Sequence, residues 1–142
     1  MRSILEALTY LREYDRLANI SEIARRYFAM NAFDGVLTII GVLMGNLVAG
    51  VGDARIVIST GLTTSVAMGI SGLWGAYLTE SAERQRDIAE LNRYTLSDLT
   101  NTRKGKASRA AVIIVAVVDG LSPFMAALEF LSPFFFAGQV RD

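Results

Sequence analysis

The chain's 142 residues suffice for one domain, and with 52% of them hydrophobic and a mean hydropathy of +0.37 it is more apolar than a soluble domain of this size. Lys and Arg total 14 and Asp and Glu total 14, so net charge gives no sign of a nucleic-acid partner, and none is expected. Cys and His are both absent, which excludes disulfides, thiolate metal sites, Cys or His nucleophiles and imidazole proton relays; any metal must be held by carboxylate, hydroxyl, carbonyl or Met sulfur.

Residues 1–30 form the first segment. They are charged and lack the continuous apolar stretch of a cleavable signal peptide. Apolar positions at Ile4, Leu5, Leu8, Leu11, Leu17, Ile20 and Ile23 predict an amphipathic helix, or two helices broken near Asn19 with Ser21 capping the second. Such a helix either packs on the rest of the protein or lies in the membrane interface.

Residues 31–78 hold two apolar runs. The first, 32–51, carries a single charge, Asp34, and has the length of a spanning helix. Gly52 and Asp53 make a short turn. The second, 56–78, has no charge and ends with Trp74 and Tyr77, where an interfacial aromatic belt falls. Frequent Gly in both suits packed membrane helices. Together they predict a tight helical hairpin.

Residues 79–109 are polar and helix-forming to about Leu99, as if the second span ran on into water. Residues 110–142 hold a third apolar stretch, 110–137, containing Asp119, Glu129, Pro123 and Pro133. Fully helical it would be about 42 Å long, against a hydrocarbon core of about 30 Å, and its prolines predict a kinked or broken span. The fold class expected is thus all-α and integral to the membrane, with three spanning segments, an N-terminal amphipathic helix and a helical cytoplasmic extension. Of the 14 Lys and Arg, 12 lie before the first span or between the second and third. That places the N-terminus and the 79–109 segment in the cytoplasm, of a multi-pass protein expected in the cell membrane.

Ionisable side chains inside spans are costly and usually face a cavity or a partner; Asp34, Asp119 and Glu129 qualify. Helix capping or a hydrogen bond to a neighbouring span is the structural alternative for each. At about 100° per residue, Asp34, Thr38, Gly41 and Gly45 share one face of the first span, where Gly41 and Gly45 permit close backbone approach. Thr60, Thr64, Met68, Ser71 and Gly75 share a face of the second. These stripes could line a path in which Asp34 and Met68 offer a hard and a soft ligand, a mixture that suits Fe(II) or Mn(II). They could equally be packing surfaces.

Glu80, Glu83, Asp87 and Glu90 fall on one helical arc. Such a stripe either collects divalent metal or is a solvated face eased by Glu80–Arg84 and Glu83–Arg86 pairs. Phe33-Asp34-Gly35-Val36 and Val118-Asp119-Gly120-Leu121 also repeat an Asp-Gly inside an apolar run, 85 residues apart, which three spans would make a parallel repeat.

The run SEIARRYFAMNAFDGVLTIIGVLMG (21–45), the run SVAMGISGLWGAYLTESAER (65–84) and LSPFMAALEFLSPFF (121–135) together resemble the vacuolar iron transporter family over residues 20–137. The resemblance implies a dimer in the lipid bilayer. It also implies a metal path lined by a first-span Asp and a second-span Met, cytoplasmic glutamates that gather metal, and proton-coupled export. Asp34 matches the first-span Asp. Matching Gly75-Ala76-Tyr77-Leu78 to the family's motif puts Gly72 where its Met stands, with Met68 one turn earlier; the family's second-span Glu falls at Thr60 or Thr64. Glu80 and Glu83 match cytoplasmic glutamates, and Asp87 and Glu90 match in kind. The family has five spans, so the chain reads as a shortened or truncated member.

The expected function is export of Fe(II) or Mn(II) from the cytoplasm, with no permanently bound cofactor and no enzyme activity. Glu80, Glu83, Asp87 and Glu90 would capture the ion, and Asp34, Thr38, Thr64, Met68, Asp119 and Glu129 would line its path. The alternative is a non-transporting membrane scaffold or subunit. A membrane enzyme is disfavoured, because no nucleophile–base pair is visible.

Overall fold

A computed structural model of the protein describes residues 13–139, with side chains as far as Phe134; the expected helical positions from Ile4 to Leu11 lie outside the described residues. The elements are α1 (residues 13–18), α2 (Ile20–Val48), α3 (Ala54–Thr95) and α4 (Arg103–Gln139). Among the described residues there is no strand, and α2, α3 and α4 are each long and apolar enough to cross a membrane. The protein is an all-helical, multi-pass membrane protein.

The break expected near Asn19 is present. Asn19 adopts the left-handed conformation (φ 50°), which Asn tolerates better than most residues. Ser21 is not the cap, because the helix begins one residue before it. Instead Asp15 reaches over the break: its carboxylate accepts from the Ser21 N–H at 2.6 Å and from the Ser21 hydroxyl at 2.9 Å, satisfying a donor that a helix start leaves open. From Ile20 the helix runs without interruption through residue 30 into the first span.

A turn over residues 49–53 joins the first two spans. Gly50 takes the positive φ of 71° that the reversal needs, and the Asp53 side chain accepts from the Arg55 N–H at 2.8 Å to start α3. At 42 residues, α3 is about 63 Å long, twice the hydrocarbon thickness. Its second half therefore continues past the span, as its polar sequence predicts, and ends at Thr95 beside a left-handed Leu96. In the turn that follows, the Thr100 hydroxyl and N–H hold the Asp98 carboxyl below its usual range.

The third apolar helix is the centre of the bundle. α3 packs most extensively on α4, α2 next, while α2 and α3 touch each other least. Accordingly 56% of the most apolar stretch of α4 is buried, against 11% for α2 and 22% for α3. Small residues make this possible. Gly35 of α2 lies where a Cβ would come within 2.8 Å of the Pro123 backbone, and Gly69 of α3 faces the Gly120 carbonyl at 2.6 Å on the same test. Asn31 sits beside Asp119 and Gly35 against Pro123, so α2 and α4 run parallel; Gly69 meets Gly120 and Gly61 meets Leu131, so α3 runs antiparallel to α4. The Asp-Gly repeat is therefore a parallel one.

Pro123 and Pro133 do not break α4, which runs through both. Proline lacks the N–H that the carbonyl four residues earlier would accept. Those carbonyls belong to Asp119 and Glu129, and each accepts instead from the serine preceding its proline: Ser122 Oγ donates to Asp119 O and Ser132 Oγ to Glu129 O, both at 2.8 Å. The sequence repeats the unit, Leu-Ser-Pro-Phe at 121–124 and 131–134 with an acidic residue four before each proline. Outside, α2 exposes Leu37, Ile40, Met44, Leu47 and Val48, and Trp74 stacks on Tyr77 with centroids 6.0 Å apart. Such a surface needs a bilayer.

Gly69→Ala should overpack the α3–α4 contact and lower stability by about 1–3 kcal/mol, whereas Gly52→Ala, in the turn between the first two spans with open space at its Cα and no positive φ, should leave it unchanged. Thermal unfolding in detergent micelles compares the two.

Candidate functional site

The basic end of the bundle, where α1, the α3 extension and the start of α4 lie, opens into a cavity of ≈ 520 Å³ between the three spans. From α2 it is lined by Arg26, Tyr27, Met30, Asn31 and Asp34, from α3 by Gly72, Gly75 and Ala76, and from α4 by Asp119. Two of the carboxylates singled out from the sequence thus meet in one space. Asp119 is buried at 7% exposure; Asp34 is exposed at the cavity's side. Asp34 lies one turn beyond Asn31, the residue level with Asp119, an axial stagger of about 4.5 Å.

Asn31 builds the floor. Its Nδ2 donates to the Asp119 main-chain carbonyl at 2.9 Å, the carbonyl that Pro123 leaves without a helical donor. Gly72 completes the fit: a Cβ there would run into Asn31 Nδ2 and come within 3.0 Å of Asp119 Oδ2. The space a side chain at position 72 would take is therefore filled by the Asn31 amide and the Asp119 carboxylate. The thioether in this cavity is that of Met30, one turn before Asp34 on α2 and 73% exposed. Met30 was not among the residues singled out from the sequence, although its spacing of four from Asp34 puts both on one helix face.

Other expected path residues lie elsewhere. Met68 and Thr38 are half-buried and do not line this cavity. Thr64 Oγ1 donates to the Thr60 carbonyl at 2.7 Å, as membrane threonines commonly do. Thr60 is itself bonded back to Ile56 and accepts from Asn46 Nδ2 of α2 at 3.2 Å. Gly41 and Gly45 face open space rather than a helix of this chain, whereas Gly75 lines the cavity. Glu129 is exposed on the far half of α4.

On the α3 extension the acidic stripe divides. Glu80 is buried, its Oε2 accepting from Arg84 Nε at 3.4 Å, and Arg84 Nη2 donates to the Ala18 carbonyl at 2.8 Å. That arginine caps the C-terminal end of α1 and fixes it to α3. Glu83, Asp87 and Glu90 are exposed; the Glu83–Arg86 pair does not form, and Asp87 and Glu90 line a cavity of ≈ 350 Å³ with Arg84 and Lys104. Among the described residues no three acidic groups converge as a metal site.

The structure thus places a carboxylate-lined cavity at one end of a three-span helical bundle of a membrane protein. The model of the VIT family matches residues 26–126, a stretch holding every residue that lines the cavity, and the protein belongs to that family, the one its sequence resembles. A protein of Methanocaldococcus jannaschii described as uncharacterized is 28% identical over 117 residues, covering 80% of this chain and 60% of the relative. The chain thus spans less than two thirds of that relative's length. No solved structure matches.

Arg84→Met should leave the buried Glu80 carboxylate without its counter-charge, at a cost of about 3–5 kcal/mol. The double variant Arg84→Met/Glu80→Leu should recover most of it. Chemical denaturation of the three proteins in micelles reads the difference.

Proposed function

We propose that the protein transports a divalent transition metal, Fe(II) or Mn(II), out of the cytoplasm across the cell membrane as a homodimer. The observation that carries the reading is the cavity itself: Asp34 and Asp119, each within an otherwise apolar span, share one space with an amide and a thioether. Burying Asp119 is expensive unless the charge has a use, and oxygen ligands beside a soft sulfur suit these ions.

In this reading the N-terminus and the α3 extension face the cytoplasm, as the distribution of Lys and Arg supports. The exposed Glu83, Asp87 and Glu90 concentrate cations by their field, and Glu80, held by Arg84, marks the entrance. Four-carboxylate capture requires a second copy to bring its stripe opposite, since one chain does not gather three. Met30 and Asp34 receive the ion and Asp119 shares it. Protonation of Asp34 or Asp119 weakens the site and releases the ion onward, along Thr38, Thr64 and Met68 and past Glu129. The open Gly41–Gly45 face of α2 supplies the surface on which two copies approach.

The rival reading, a membrane scaffold without transport, draws on the hydroxyls of Thr60 and Thr64, which are spent on their own helix. Flux decides between them. In proteoliposomes loaded with a metal-sensitive dye, Asp34→Ala and Asp119→Asn should each reduce Mn(II) or Fe(II) flux by about tenfold or more, a loss of about 1.4 kcal/mol or more. Met30→Leu should reduce it less. Flux that is absent in the wild type, or unchanged in Asp34→Ala, supports the scaffold.

A further inference from the structure

A second cavity, of ≈ 460 Å³, opens between the α3 extension and the first turns of α4. Its chemistry is opposite to that of the metal path. Arg84 and Arg109 line it, with Ser81, Gln85 and Ser108, and no carboxylate does. Val112 and Ile88 form an apolar wall. The cavity sits at the depth of a headgroup layer, because Arg109 is the last charge before the apolar run of α4 and Ser81 follows the apolar run of α3.

Ser108 is the telling residue. It is 6% exposed, yet its hydroxyl makes no hydrogen bond among the described residues, whereas buried Ser65 donates to Gly61 O and buried Ser122 to Asp119 O. Its oxygen is not closed off, because among the described residues no buried side-chain oxygen lacks a partner, and it is reached from the cavity that Ser108 lines. Arg109 likewise forms no ion pair or hydrogen bond among the described residues. An anion seated here meets both groups.

We propose that this cavity binds a phosphate group, held by the Ser108 hydroxyl and the Arg109 guanidinium, with Arg84, bonded to Glu80 and to the Ala18 carbonyl, adding positive charge at its wall. Arginine forks match phosphate oxygens, and basic pockets between membrane helices take anionic headgroups. The apolar wall and the depth fit the phosphodiester of an anionic phospholipid; a soluble phosphate offers the same chemistry. The site does not depend on metal transport and is separate from the Asp34–Asp119 cavity.

Native mass spectrometry of the whole chain, released from nanodiscs of mixed phosphatidylglycerol and phosphatidylcholine, measures lipid retention. Thermal stability in micelles with and without inorganic phosphate tests the soluble source. The proposal expects selective retention of phosphatidylglycerol, or stabilisation by phosphate, weakened about tenfold in Ser108→Asp and Arg109→Gln and retained in Lys106→Gln, whose charge is near but outside the cavity. Ser108→Ala, which favours the helix, should weaken binding without loss of fold. No preference for either anion, or equal weakening in Lys106→Gln, overturns it.

Discussion

In hydrocarbon a main-chain carbonyl without a donor costs several kcal/mol, because no water is present to take its place. Pro123 creates such a carbonyl at Asp119, in the middle of the most buried helix of the molecule. Two donors answer it, the Ser122 hydroxyl from within α4 and the Asn31 amide from α2. The second fixes the register of α2 against α4 and lets Gly35 lie on the flat face of Pro123. Once Asn31 and Asp119 share a level, only glycine fits at position 72 of α3. The cavity holding Asp34 and Asp119 is the space that these constraints leave open.

Packing explains why α4 occupies the centre. Between membrane helices there is no hydrophobic driving force, so association rests on close contact between small residues and on a few polar bonds. The buried face of α4 offers Ala107, Ala111, Ala116, Ala126 and Ala127, and α3 meets it with Gly61 and Gly69. By contrast α2 presents large apolar side chains outward, as a lipid-facing surface does.

Much of this was legible in the sequence. The three apolar runs, a short turn at Gly52 and Asp53 and the charged continuation of the second span followed from hydropathy and charge alone, and Asp34 stood out by its cost. Which span is central was not legible from hydropathy, since lipid-facing and protein-facing helices are both apolar; the signal lay in the alanines of α4. Proline suggested a break because the serine before it was not weighed as a substitute donor, although Leu-Ser-Pro-Phe occurs twice. Met68 drew attention through its place on the Thr60–Gly75 face, while Met30 lay in a segment read as a separate amphipathic helix. The continuity of α2 through residue 30 is what brings Met30 beside Asp34. Glu80 read as one of four equivalent acids because spacing shows a stripe but not its partner, and Arg84 claims it.

The central claim is that Asp34 and Asp119, from different helices, act on one ion. A double-mutant cycle on Mn(II) affinity, measured by calorimetry on the wild type, Asp34→Asn, Asp119→Asn and the double variant, addresses it most directly. If both carboxylates hold one ion, each single change removes most of the affinity, and the double variant loses far less than the two losses combined. Independent, additive losses, or an affinity that Asp119→Asn leaves untouched, would contradict the account.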